Sequence, residues 1–169
     1  RLRPRGIDTV FASPQRDHDF SCRVFHAGMI WVEFPIPAIG RIDSLRGVAG
    51  NAQWVVQLPR TVWRAVHLVK RVSPDAVDVN GLLGVHVVIA ARLRKVPVVW
   101  HLLGCTYPSW LVRLIRPLVV LLPSRVVVLS PSLRRYYLGS GRLSALKKVV
   151  ILHEATPDEE RSTESPVSV

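Results

Sequence analysis

His101 follows four apolar residues and precedes Leu102-Leu103-Gly104. An imidazole titrates near neutral pH and can hold or pass a proton, so at the end of a strand it is a candidate reacting group; it can equally hydrogen-bond a backbone group there. Upstream, Asn80-Gly81-Leu82-Leu83-Gly84 follows a strand-like run and opens a helix-like one. Free backbone N–H groups at such a junction can cradle a phosphate or a sugar hydroxyl. The alternative is a turn whose glycines let helix and strand pack closely. The segment lacks the third glycine and the following acid of a dinucleotide fingerprint, and it lacks the Gly-Lys-Ser/Thr of a P-loop. His86 lies inside the following helix and is expected to pack rather than react.

Other residues offer charge. Arg60, Arg64, Lys70 and Arg71 share a helical stretch with Trp54 and Trp63. A basic face beside amphipathic rings suits adsorption to an anionic bilayer, where each near-surface base contributes ~1 kcal/mol. A solvated helix face gives the same pattern. Arg134-Arg135-Tyr136-Tyr137 mixes bases with aromatics as nucleic-acid sites do, but no RNA- or DNA-binding motif accompanies it. Cys22 and Cys105 are too few and too far apart for a disulfide scaffold or a Cys-rich zinc site, so no metal is expected.

The elements that must position these residues are legible as alternating patterns. Six short apolar runs, at residues 7–12, 30–34, 76–79, 96–100, 125–129 and 149–152, are mostly β-branched and lack strict alternation, as strands covered on both faces do. Between them Trp54, Val55, Leu58, Val62, Val66 and Val69 recur near period 3.6, with a stop at Ser73-Pro74. Leu83, Val87, Ala90, Ala91 and Leu93 mark a second helix. Residues 110–121, interrupted by Pro117, and residues 131–138, ended by Gly139, mark two more. This order predicts an α/β domain with a largely parallel sheet. Ligands of such sheets sit beyond the carboxyl ends of the strands, which selects Ser13, Asn80 and Gly81, the stretch from His101 to Gly104, Ser130, and His153 and Glu154.

The chain has 169 residues, 49% of them apolar, with 23 Lys and Arg against 12 Asp and Glu, for a net charge of +11. That is room for one domain with a core. Five acids and one base follow from Glu154 onward, leaving +15 on residues 1–153. Such a body favours anionic partners: phosphorylated substrates, an acidic membrane surface or nucleic acid. The longest stretch free of Lys, Arg, Asp and Glu, residues 96–112, carries Pro97, Pro108, His101 and Ser109 and is shorter than a membrane span. With no signal-peptide pattern, a cytoplasmic setting, peripheral on the inner face of the membrane, is expected. The chain opens on Arg1 and reads as a fragment or processed piece.

Four segments resemble the N-terminal, acceptor-side domain of family 4 glycosyltransferases of the GT-B fold. They are Pro74-Asp75-Ala76-Val77-Asp78-Val79-Asn80, Val96-Pro97-Val98-Val99-Trp100-His101, Ser124-Arg125-Val126-Val127-Val128-Leu129-Ser130 and Lys147-Lys148-Val149-Val150-Ile151-Leu152-His153. The family's phrases are Pro-Asp-apolar-apolar-His-apolar-Asn/His, Pro-Val-apolar-apolar-His, an apolar strand ending in Ser, and Lys-Val-apolar-apolar-Ile-x-Asn-Gly. The order and spacing match along essentially all of residues 2–153.

The resemblance implies a Rossmann-like three-layer domain over residues 1–153 and an acidic tail or interdomain linker over 154–169. It implies a role for His101 at the acceptor edge of the cleft, touching the transferred sugar or the acceptor and assisting catalysis. Asn80, Gly81, Gly104 and Ser130 would line the substrate. This domain alone would bind no cofactor; a nucleotide sugar would be the donor substrate of the full enzyme, its diphosphate met by positive groups and helix N-termini. The acceptor would be a cell-envelope glycan or lipid-linked glycan. The family's opening strand with its glycine-rich loop, and the donor-binding domain with its paired glutamates, have no counterpart here, and His153-Glu154 replaces Asn-Gly at the junction. The first central strand is thus expected to be missing between the strands at residues 7–12 and 76–79, leaving them about two strand spacings apart or collapsed into direct pairing. The rival reading is a non-enzymatic basic α/β module for an anionic surface or nucleic acid.

Overall fold

In the computed structural model, residues 8–13, 24, 26, 28–34, 45–104, 107, 109–140 and 146–152 are described, with the side chains of the first helix described from residue 55. The tail at 154–169 lies outside the described residues. The chain runs β1 (Val10–Ser13), β2 (Ile30–Glu33), α1 (Leu45–Val72), β3 (Val77–Asn80), α2 (Val85–Leu93), β4 (Val98–Leu102), α3 (Ser109–Leu121), β5 (Arg125–Val128), α4 (Pro131–Leu138) and β6 (Val149–Ile151). A 3-10 turn, Leu82–Gly84, leads into α2.

Among the described residues every strand pair is parallel. β3, β4, β5 and β6 form one sheet in that order, while β1 and β2 form a separate pair. β1 and β3 are not hydrogen-bonded to each other, so of the two expected arrangements direct pairing is not the one that forms. On β3 the N–H groups of Val77 and Gly81 go to the carbonyls of Pro97 and His101 on the β4 side. By the alternation of a parallel ladder, Asp78 and Asn80 turn their backbone groups the other way.

Because α2, α3 and α4 each join neighbouring strands, right-handed crossovers put all three on one face of the four-stranded sheet. Val79, Val98, Trp100, Leu102, Val126 and Val128 meet them there, with Val85, Val88, Leu111, Ile115, Val119 and Tyr137 on the helices. The alternate residues Asp78, Asn80, Val99, His101 and Arg125 share the opposite face.

The helices follow their stop signals. α1 ends where Ser73 takes φ 47 and its N–H and hydroxyl bond the Val69 and Lys70 carbonyls. α4 ends at Gly139, φ 79. Pro117, expected to interrupt α3, sits within a continuous helix. Its ring is on the exposed side with Arg113, while Leu111, Val112, Ile115 and Val119 hold the other side in the core. The Lys148 ammonium bonds the Val120 carbonyl in the last turn of α3 and, just past the helix, the Pro123 carbonyl at 3.1 Å. The last carbonyls of α4 receive the Arg116 guanidinium, 2.9 Å from the Tyr137 carbonyl.

α1 packs along α2, with Ala65 and Ala90 letting the helices close and Phe34 filling the space beside them. His86 is fully buried at this junction, its ring stacked on Phe34 with centroids 5.6 Å apart, so the expectation that it packs agrees with its placement. Burial pushes its pKa below the ordinary 6.5, against the smaller opposing pull of a Leu83 backbone contact. In the window between that depressed value and 6.5 the unfolded chain binds this proton and the native one does not. The stability is therefore full above pH 6.5 and falls as the pH drops below it. Urea midpoints at about pH 5 and about pH 7.5 should differ in this direction, and His86→Phe should reduce the difference. An unchanged pH dependence in the variant would dismiss the account.

Candidate functional site

The carboxyl ends of β3 and β4 build the site. Asn80 ends β3 and pairs in register with His101 of β4, so both lie on the sheet face away from the helices. One pleat back on the same face, the Asp78 carboxylate stands 3.3 Å from His101 Nε2. The histidine side chain is 22% exposed and the aspartate 64%. The tautomer with the proton on Nε2 donates to Asp78 and leaves the Nδ1 lone pair for a hydroxyl. Asp78 was not among the sequence-selected residues. Its signal was available in the period of two that puts residues 78 and 80 on one face.

Gly81 is clamped by β4 through one backbone and one side-chain bond. Its N–H donates to the His101 carbonyl at 2.8 Å, and its carbonyl accepts the Trp100 indole N–H at 2.9 Å. At φ +78 the backbone takes a conformation that side chains disfavour. Three residues on, a Cβ on Gly84 would lie 2.2 Å from Val79 Cγ1, so the close helix–strand approach requires glycine. The turn reading of this segment is therefore realised. The Tyr107 hydroxyl lies over this turn, 3.6 Å from where a Cβ on Gly81 would stand. Burial, the larger effect, pushes its phenol up, against the smaller opposing pull of the Leu82 and Leu83 backbone. No short sequence pattern announces a neighbour supplied from beyond the next strand.

The loop after β4 is tied to α4. The Tyr136 hydroxyl donates to the Tyr107 carbonyl and the Tyr137 hydroxyl to the Gly104 carbonyl. Tyr136 and Tyr137, noted in the sequence beside Arg134 and Arg135, thus hold the rim of the site. Gly104 contributes this carbonyl. Ser130 begins α4 as its N-cap, its hydroxyl accepting the Leu133 N–H at 3.2 Å. Ser13 ends β1 in the other sheet, and 153–154 lie outside the described residues.

The basic group lies elsewhere, along α1. Arg60, Trp63, Arg64, Lys70 and Arg71 are exposed together with Val55 and Val56; the Trp54 side chain lies outside the described residues. Trp63, 63% exposed, meets His67 edge-on with centroids 4.1 Å apart. Among the described residues no cluster of three or more His, Cys, Asp or Glu side chains exists that could hold a metal ion, and no helix is long and apolar enough to cross a membrane.

Parallel strands joined by helices, with polar groups gathered beyond the strands' carboxyl ends, define a Rossmann-like α/β domain. Among solved structures the chain is similar to MurG of Acinetobacter baumannii, with TM-score 0.55 and 13% identity over 95% of this chain and 40% of that one. It thus spans about two-fifths of that protein's length, and the fold is GT-B-like. UDP-N-acetylglucosamine 2-epimerase from Rickettsia bellii also aligns, with TM-score 0.42 and 16% identity over 76% of this chain and 33% of that one. No protein-family model matches the chain, and no curated protein matches it.

Proposed function

We propose that this chain is the acceptor-side domain of a nucleotide-sugar-dependent glycosyltransferase of the family 4 type, acting on a cell-envelope glycan or lipid-linked acceptor. The observation that carries the reading is the Asp78–His101 pair at the open carboxyl edge of β3 and β4, beside Asn80. Asp78 orients the imidazole, and His101 holds a hydroxyl of the acceptor or of the transferred sugar at the reacting centre. The acceptor oxygen bonds to the anomeric carbon, the nucleoside diphosphate departs with the electrons of the broken C–O bond, and the acceptor's proton goes to the departing diphosphate oxygen. Positive groups and helix N-termini of the donor-binding domain would meet that diphosphate. The test is transfer of labelled sugar by the complete enzyme from a panel of nucleotide sugars to an envelope lipid fraction. Transfer supports the reading. No transfer from any donor, together with tight oligonucleotide binding, would favour a non-enzymatic module.

The same reading puts the domain at the inner face of the membrane. Val55, Val56 and Trp63 are exposed beside Arg60 and Arg64 on α1, so apolar contact and charge act together. Vesicles containing anionic lipid should sediment the chain, less so as salt rises. Equal sedimentation with neutral vesicles would remove the membrane role.

A further inference from the structure

Between the carboxyl end of β2 and the second half of α1 lies an open cleft of about 680 Å³, lined in part by Phe34, Trp63, Arg64, His67, Lys70 and Arg71. Its volume is that of a small-molecule site, for which roughly 300–1,000 Å³ is usual. It shares no residue with the Asp78–His101 site. Among the described residues Arg64, Lys70 and Arg71 form no ion pair. Glu33, the acid of this lining, has a partner outside these three. Three cations converging on one concavity repel each other, and that repulsion is relieved by an anion brought among them. Lys70 and Arg71 stand in the last turn of α1, where cations favour the helix dipole. Arg64 is about two turns earlier, and that effect does not account for it. The exposed face of Trp63 supplies an apolar wall beside the charges, and its edge contact with His67 fixes the ring.

We propose that this cleft binds a phosphate-bearing ligand, the phosphate held by Arg64, Lys70 and Arg71 and the attached carbon skeleton laid against Trp63. A soluble phosphate ester and a phospholipid headgroup offer the same chemistry. The site uses neither His101 nor Asp78 and so stands apart from the sugar-transfer step, but it shares Trp63 and Arg64 with the membrane-facing stretch of α1, and the soluble probe below separates the two.

The test adds glycerol 3-phosphate, and separately a short-chain phosphatidylglycerol below its micelle concentration, to the labelled chain while following the Trp63 indole and His67 ring resonances. Saturable shifts with either probe are expected. Shifts with both identify a phosphate ester as sufficient, and shifts with the lipid alone identify a headgroup site. Arg64→Glu combined with Lys70→Glu should weaken binding roughly tenfold or more, since each near-surface base counts for about fivefold. Arg113→Glu combined with Lys147→Glu changes net charge equally at exposed positions outside the cleft and should cost far less. The proposal is overturned if neither probe shifts these resonances in the unaltered chain, or if the two double variants lose affinity equally.

Discussion

Replacing His101 with alanine in the complete enzyme should lower turnover roughly 10²- to 10³-fold, the cost of removing a preorganised hydrogen-bonding group at a reacting centre. The stability cost should be small. The imidazole is 22% exposed and its partner Asp78 64%, and an exposed pair of this kind contributes about 1 kcal/mol or less. The loss should fall on kcat and kcat/KM together, because an interaction made in the transition state is being removed. Steady-state kinetics beside a thermal melt separates the cases. Lost melting temperature with retained specific activity would make His101 a structural residue and would sink the site assignment.

The opposite balance is expected one residue earlier. Trp100 is fully buried among the helices and its indole N–H holds the Gly81 carbonyl at 2.9 Å. Trp100→Ala should cost about 3–5 kcal/mol, the range for truncating a buried aromatic, against a whole-domain stability of about 5–15 kcal/mol. Trp100→Phe keeps most of the volume and leaves the carbonyl without its donor, which isolates the hydrogen bond at about 1–3 kcal/mol. Urea midpoints measure both. A Phe variant as stable as the parent would mean that the indole bond contributes nothing and that Gly81 is held by its N–H alone.

The strands and helices were legible because each carries a local pattern. The β-branched runs beginning near residues 76, 96, 125 and 149 became β3 to β6, and the Ser73-Pro74 and Gly139 stops fell where backbone chemistry requires. The start of α1 was not legible. Gly47 and Gly50 weaken helix propensity, yet the helix begins at Leu45. Pro117 misled because a proline on the wet side of a helix whose other side is buried disturbs little. Of the site, His101 and Asn80 were read from the strand ends, and register put them side by side. Asp78, standing where the family's phrase has histidine, carried no motif. The approach of Tyr107 to the turn at Gly81 and the β2–α1 cleft depend on tertiary contacts across many residues, which no window of sequence encodes.

The clamp on Gly81 bears on how such a domain diversifies. Its N–H is taken by the His101 backbone and its carbonyl by the Trp100 side chain, and a side chain at Gly84 would strike Val79. Inherited change at residues 81, 84 and 100 must therefore pass through poorly folding intermediates. Asp78 and Asn80 stand exposed on β3, the end strand of the sheet among the described residues, and can be exchanged one at a time. Descendants of this chain that acquire new ligands would do so at those two positions, on a turn that stays fixed.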